Sequence, residues 1–293
     1  MSRILHDMVT VITGASSGIG KALAIDLASQ GGKLVLGARR LNRLEETNCS
    51  LGGNHCCLKT DVSRPEDCQR LIDAAVEKFG RLDTLVCNAG FGFARAFDQM
   101  SQEDVRQIFQ TNLFGTIECC RLAIPLMKRQ EPRDGYQGQI MIVSSACARR
   151  GLPYFSTYAA TKAAQLSLAE GLRIELKPFG IAVTSVHPVL TETDFFTTAN
   201  DLSGMSPAAL AQGTKQSAAV VAARMVRAIR KPCRELWTKP MSRMSLSIAV
   251  ALPALTDFFM GKIRNELVRQ HANGKSGCET GSSEEAPGAP QVQ

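Results

Sequence analysis

Tyr158 and Lys162 stand four residues apart in Tyr158-Ala159-Ala160-Thr161-Lys162, a spacing that places both side chains on one face of a helix. A phenol ionises near pH 10 and is a poor proton shuttle at neutral pH. An ammonium beside it favours the phenolate and makes the ring a usable acid and base. Such a pair suits the proton half of interconverting a carbonyl and an alcohol, a reaction that also needs a hydride. Tyr and Lys at this spacing are common on solvated helices, so the weight of the pair depends on a hydride carrier being held close by.

A second stretch could hold one. Thr13 to Gly20 reads TGASSGIG, with glycines spaced GxxxGxG rather than GxGxxG. Gly14 would allow a tight turn, Gly18 a close backbone approach to a dinucleotide, and Gly20 close packing of helix on strand. The first helical amides would face a pyrophosphate. Tight turns need glycine without any ligand, so the turn alone is weak. The next apolar run ends Gly37-Ala38-Arg39-Arg40, where folds that bind NAD commonly carry an acid for the ribose hydroxyls. No acid is present. A guanidinium there can hold a 2′-phosphate, which assigns Arg39 to that group with Arg40 as an assistant; the alternative is a solvated basic turn.

The elements that must position these residues alternate along the chain. Met8–Thr13, Lys33–Ala38, Thr84–Cys87, Ile140–Val143 and Ala182–Val186 read as strands with continuous rather than alternating apolar residues. Helical patterns follow from Ile19 to Ser29, Arg40 to Glu46, Pro65 to Phe79, Ser101 onward past Asn112 to Arg129 with a bend, and Thr157 to Leu176. Ser101 and Asp104 have capping-box spacing. Continuous apolar strands separated by helices predict an α/β fold, a doubly wound parallel sheet covered on both faces. Residues 1–240 form the catalytic domain in this reading. Within it, about 190–214 is irregular and reads as a lid over the substrate. Residues 241–270 form an apolar extension and 271–293 a disordered tail.

Bulk properties narrow the function classes. The 293 residues are 44% hydrophobic, enough for one sizeable core. The net charge of +7 is spread along the chain, and aromatics are 5%, so nucleic-acid binding is not expected. Ten cysteines and four histidines form no CxxC pair or histidine cluster, so no metal site is expected and the thiols read as reduced. The N-terminus reads directly into a strand, without a secretory leader, giving a cytoplasmic, non-secreted expectation. Met244 to Thr256 carries no charge but spans about thirteen residues and contains Pro253, too short for a spanning helix of roughly 20 residues. It reads as a packed segment, with peripheral membrane contact as the alternative.

The TGASSGIG turn, Cys87-Asn88-Ala89-Gly90, Asn112 in TNLFG, Ser144-Ser145 after a strand and the YAATK stretch occur in order. Together they resemble the short-chain dehydrogenase/reductase family in its common single-domain form, over roughly Met8 to Lys239. The resemblance implies a Rossmann-type domain with a seven-stranded parallel sheet. It also implies a homodimer or homotetramer assembled through the long stretches Asn112 to Lys128 and Thr157 to Lys177. Tyr158 then matches the acid/base and Lys162 the residue that binds the nicotinamide ribose and lowers the phenol's pKa. Ser145 matches the serine that polarises the substrate oxygen, and Asn112 the asparagine supporting a bound water and proton relay behind the lysine.

For the cofactor, Gly14, Ser16, Gly18, Ile19 and Gly20 match the phosphate turn, Asp61 and Val62 the adenine pair, and Asn88, Ala89 and Gly90 the adenosine crevice. Pro188 and Thr193 match the element after the sixth strand, where Val189 replaces the family's usual glycine. The implied activity is NADP(H)-dependent interconversion of a carbonyl and an alcohol, NADP(H) being favoured by Arg39. Phe91, Phe93, Leu152, Phe155, Phe195 and Phe196 would line a mouth for a hydrophobic small-molecule substrate. A catalytically silent NADP(H)-binding regulator or scaffold is the alternative function.

Overall fold

The computed structural model describes residues 2–193 and 215–276. Seven parallel strands form the central sheet: β1 (Val9–Thr13), β2 (Lys33–Ala38), β3 (Cys56–Lys59), β4 (Thr84–Cys87), β5 (Gly138–Val143), β6 (Ile181–His187) and, numbered β9, Glu235–Trp237. Their order is β3-β2-β1-β4-β5-β6-β9. A further pair, β7 (Thr191–Glu192) and β8 (Gln216–Ser217), lies outside that sheet. The α/β reading and the parallel, doubly wound sheet are thus observed. All residues of β1, β4 and β5 are buried, as apolar strands covered on both faces require.

The chain runs outward from β1 to β3 and returns to place β4 against the other side of β1. This reversal opens a crevice beyond the carboxyl ends of β1 and β4, where doubly wound sheets receive ligands. One face of the sheet packs against α3 (Pro65–Phe79), α5 (Gly115–Arg129) and α6 (Ser156–Leu176). The other packs against α1 (Gly18–Ser29) and α7 (Ala218–Arg230). α2 (Leu41–Ser50) buries Leu44 and Thr47 beside β2 and β3. Leu23, Leu71 and Leu85 are fully buried, and truncating any one to alanine would cost about 3 kcal/mol.

Local chemistry explains the boundaries. α3 begins with Pro65 in its first turn and stops at Gly80, which takes the left-handed conformation (φ 78). α4 (Gln102–Phe109) carries the capping box foreseen from its spacing: Ser101 Oγ accepts from Asp104 N at 3.1 Å, and the Asp104 carboxylate accepts from Ser101 N at 3.0 Å. The bend foreseen near Asn112 is a π turn at Gln110–Phe114, joining α4 to α5. At the sheet's opposite end, Arg3 is buried and donates to Thr84 Oγ1, Gln139 Oε1 and the Asp83 carbonyl. These bonds tie the N-terminal segment to β4 and β5.

The apolar extension forms α8 (Pro240–Ala251) and α9 (Pro253–Ser276), bent by 111° at Leu252. Met244, Ile248, Val250, Leu252 and Leu255 are about half exposed rather than packed. No described single helix is long and apolar enough to cross a membrane, whereas the bent pair meets that length and composition together. The expected lid lies outside the described residues from 194 onward, and the expected tail does so from 277 onward. The ends of the former stretch meet where β7 pairs with β8 and Gln216 N donates to the Leu190 carbonyl at 2.9 Å.

Candidate active site

The glycine turn closes the carboxyl end of β1 and opens α1. Gly14 has φ +67, and a Cβ there would fall 2.8 Å from the Ala89 Cα. Gly20 is needed for the turn itself, since its Cβ would meet the Gly14 carbonyl at 2.5 Å and Asn88 Nδ2 at 2.6 Å. Asn88 Nδ2 donates to the Thr13 and Gly14 carbonyls, and Thr13 Oγ1 accepts from the Asn88 and Ala89 amides. The β1 and β4 ends are therefore cross-braced, and Thr13 is a brace that motif reading passed over. Ser17 precedes α1 without capping it by its side chain. The first helical amides thus keep the donor capacity that suits a phosphate.

At the end of β2, Arg39 and Arg40 are both exposed. Arg40 donates to Ser17 Oγ at 2.8 Å and reaches Ser16 Oγ at 3.4 Å, so it bridges β2 to the glycine turn. Arg39 stands at the same corner. Asp61 accepts from Ser63 N and Oγ through one carboxylate oxygen in the turn after β3, and Val62 is buried beside it. Ile19 is partly buried in the first turn of α1. Thr193 approaches Gly18, where an added Cβ would meet its Cγ2 at 3.0 Å. Gly90 leaves the room that Asn112 Oδ1 and Lys162 Nζ occupy, at 3.0 and 3.5 Å from a Cβ placed there.

Tyr158 and Lys162 lie on the first turns of α6, with Lys162 Nζ 5.6 Å from the Tyr158 ring centre. The Ser145 side chain, at the end of β5, lies near enough to the Tyr158 hydroxyl, at the start of α6, to favour its ionised form. Ser145 Oγ also accepts from Cys147 N at 3.3 Å. Ser144, its neighbour, instead donates to the Lys162 carbonyl at 2.7 Å, as expected for a side chain on the other side of the strand. Behind Ser145, the His187 ring donates to its carbonyl at 3.2 Å, contacts Ser185 Oγ at 3.0 Å and stacks on Trp237. Pro188 accepts from Ala146 N, which fixes the same turn from the β6 side. Val189 donates its amide to Thr238 Oγ1 at 3.3 Å.

Burial shapes the electrostatics. It brings the Lys162 ammonium down to about 8, with the Cys147 thiol opposing that fall. It pushes the Tyr158 phenol above its ordinary value; Cys147 adds to the rise and the Ser145 side chain opposes it. The lowering expected of a phenol beside an ammonium is not seen here; desolvation dominates and disfavours the phenolate. Lys162 donates to the Val143 carbonyl at 2.9 Å and to Gln165 Oε1 at 3.0 Å.

Asn112 is fully buried and faces Phe91 in both directions, accepting from its amide at 3.0 Å and donating to its carbonyl at 2.9 Å. Its Nδ2 also donates to Thr161 Oγ1. Gln165, unnoticed in the sequence, sits between Asn112 and Lys162; its spacing of three from Lys162 was the available signal. Of the aromatic residues foreseen at the mouth, Phe93 and Phe155 are buried packing groups, while Phe195 and Phe196 lie outside the described residues. A recess of about 410 Å³ beside this region is lined by Leu152, Pro153, Ser156, Asp257 and Met260 rather than by Ser145, Tyr158 or Lys162. Among the described residues no group of acidic, histidine or cysteine side chains could hold a metal ion.

The sequence profile described as short chain dehydrogenase matches residues 8–203. An 11-beta-hydroxysteroid dehydrogenase-like 3 protein of Arabidopsis thaliana is 42% identical over 194 residues, covering 64% of this chain and 60% of that protein. The chain spans about six tenths of the length of such relatives. An uncharacterized oxidoreductase of Bacillus subtilis is 34% identical over 265 residues, 88% of this chain and 73% of that protein. A solved short-chain dehydrogenase/reductase of Burkholderia phymatum in complex with NAD superposes with a TM-score of 0.76 at 26% identity, covering 86% of this chain and 96% of its own. A 3-ketoacyl-(acyl-carrier-protein) reductase of Brucella melitensis complexed with NADH gives 0.70 at 28% identity, covering 80% and 97%. With the glycine turn, the braced Asn88 and the Ser145–Tyr158–Lys162 cluster in one crevice, the chain belongs to the short-chain dehydrogenase/reductase family.

Proposed function

We propose that this chain is an NADP(H)-dependent oxidoreductase that interconverts a carbonyl and an alcohol on a hydrophobic small molecule, with Tyr158 as the acid and base. The observation that carries it is the juxtaposition of Tyr158 and Lys162 on successive turns of α6, with Lys162 Nζ 5.6 Å from the Tyr158 ring centre, beside the crevice at the ends of β1 and β4. The bound nicotinamide supplies or accepts the hydride. Gly14, Ser16, Gly18, Ile19 and Gly20 would hold its pyrophosphate, and the tight turn that the positive φ of Gly14 and Gly18 permits ahead of the α1 amides fits that task. Asp61, Val62, Asn88, Ala89 and Gly90 would border the adenosine, while Pro188 and Thr193 would border the nicotinamide side. Lys162 would hold the ribose with the hydrogen not used by Val143 and Gln165.

Ser145 orients the substrate oxygen toward Tyr158, whose hydroxyl gives up its proton to that oxygen as a carbonyl is reduced. In the opposite direction the phenolate takes the proton back. The two similar solved structures hold NAD and NADH, so the choice of NADP(H) rests on this chain's own β2 end. There Ala38 provides no carboxylate, Arg39 offers planar donors, and Arg40 already grips the serines of the glycine turn. Homo-oligomers would form through α5 and α6, near which Phe114, Ile174 and Phe179 are exposed. The exposed apolar side chains of α8 and α9 would favour peripheral contact with the cytoplasmic face of a membrane.

The test is steady-state kcat/KM with NADPH and NADH over ketones, aldehydes and secondary alcohols at one ionic strength. Turnover favouring NADPH supports the reading. A preference for NADH refutes the cofactor choice, and cofactor binding without turnover of any compound would favour a binding protein.

A further inference from the structure

Gln165 is fully buried on α6, three residues after Lys162. Its Oε1 accepts from Lys162 Nζ at 3.0 Å; its Nε2 donates to the Asn112 main-chain carbonyl at 2.6 Å and to Thr116 Oγ1 at 2.9 Å. The orientation of this amide follows from its partners. An ammonium offers only donors and a carbonyl only acceptors, so the reversed amide would oppose like groups at both ends. Thr116 Oγ1 also donates to the Asn112 carbonyl, at 2.8 Å, so both lone pairs of that oxygen are used. Both hydrogens of the Gln165 amide are used as well. A buried polar network satisfied at every member has one arrangement and holds it firmly.

We propose that Gln165 is a positioning residue for the reaction: its amide clamps the Lys162 ammonium between β5 and the π turn and closes the Asn112 carbonyl into a direct protein network. With its lone pairs taken by Thr116 and Gln165, that oxygen has none left for a water that could pass a proton onward. A primary amide neither takes up nor gives off a proton near neutral pH, so Gln165 acts by position and not as a relay. The clamp leaves one Lys162 hydrogen to face the reacting side, after Val143 and Gln165 have taken the other two. The groups around the ammonium are the Val143 carbonyl from β5, Cys147 from the turn after β5, Tyr158 from its own helix, and Gln165 backed by the π turn. Tyr158 and Cys147 are the titratable ones. The clamp rests on the proposed Tyr158–Lys162 chemistry for its purpose, whereas its existence can be read on Lys162 itself.

The experiment is a pH titration of the full chain labelled with [13Cε]lysine, followed by NMR, with the Lys162 signal identified by its loss in Lys162→Met. Gln165→Leu removes an acceptor from the ammonium and should lower the Lys162 midpoint by about one pH unit. Gln165→Glu puts a carboxylate in the same place and should raise it by about one unit or more. Opposite shifts are the expected result, since loss of packing alone would not reverse sign between the two variants. Midpoints unchanged from wild type in both, or shifted the same way, would overturn the proposal. If circular dichroism shows that Gln165→Leu does not fold, the Glu variant decides alone: an upward shift supports the clamp and an unchanged midpoint or downward shift refutes it. Turnover by Tyr158→Phe would refute the acid/base reading without moving this titration, so the two can fail separately.

Discussion

The two ends of the crevice hold their positive charges in opposite ways. At the end proposed for the reaction, Lys162 is buried, and its ammonium is bonded to Val143 and Gln165 in a network that continues to Asn112 and Thr116. At the end proposed for the adenosine, Arg39 and Arg40 stand exposed, one of them gripping the serines of the glycine turn. A buried ammonium must be satisfied by nearby acceptors or lose its proton, so its geometry is fixed by many partners at once. An exposed guanidinium costs little to keep and is weakened by salt. The reacting end should therefore be sensitive to small changes in position, and the adenosine end to charge and ionic strength.

The largest effect should come from the buried end. Tyr158→Phe removes the proton donor and keeps the ring, so kcat should fall about a thousandfold, about 4 kcal/mol of barrier. NADPH affinity, followed by nucleotide fluorescence, should be unchanged. Near-wild-type turnover would break the comparison at its strongest point.

Lys162 offers a test without substrate. In the unfolded chain it keeps its proton up to about its ordinary value of 10.5, whereas the folded chain releases it near 8. Between these values unfolding takes up a proton, so the contribution of Lys162 to stability should rise as pH increases from about 8 to 10. Subtracting the urea-unfolding profile of Lys162→Met from that of the wild type should show this rise. A flat difference would show that the ammonium is not held in a desolvated site.

The smallest effect belongs to the exposed end. Arg39→Ala should reduce the ratio of NADPH to NADH kcat/KM about tenfold at low salt, and by less at about 0.5 M salt. Arg40→Ala should do likewise, with an added loss for both cofactors because it braces Ser16 and Ser17. A ratio unchanged in both variants would remove the basis for the cofactor choice.

Local patterns carried much of this architecture into view. Apolar strands, the TGASSGIG turn, the Ser101–Asp104 cap and the YAATK face each lie within a few residues, and their chemistry is short-range. The parallel order of the sheet follows once strands alternate with helices. What stayed hidden depends on distant partners. Gln165 meets Asn112 and Thr116 from 53 and 49 residues away, and nothing within its own helix announces that meeting. A bend along this helix is expected from the sequence, but its form as a π turn is not, because its residues have no breaker and only its hydrogen-bond ladder departs from the α pattern. Phe93 and Phe155 looked like substrate contacts, yet the core encloses them. The apolar 244–256 segment looked packed, but Pro253 starts a second helix that swings away and leaves much of that surface exposed.

The most direct measurement of the proposed chemistry is deuteride transfer from NADPH carrying deuterium at both C4 positions of the nicotinamide to a panel of hydrophobic ketones and aldehydes, with the products weighed by mass spectrometry. Wild-type enzyme should yield an alcohol carrying the label, and Tyr158→Phe should yield about a thousandfold less of it over the same time. Unlabelled alcohol, or equal yields of labelled alcohol from the two proteins, would contradict hydride transfer with Tyr158 as its acid.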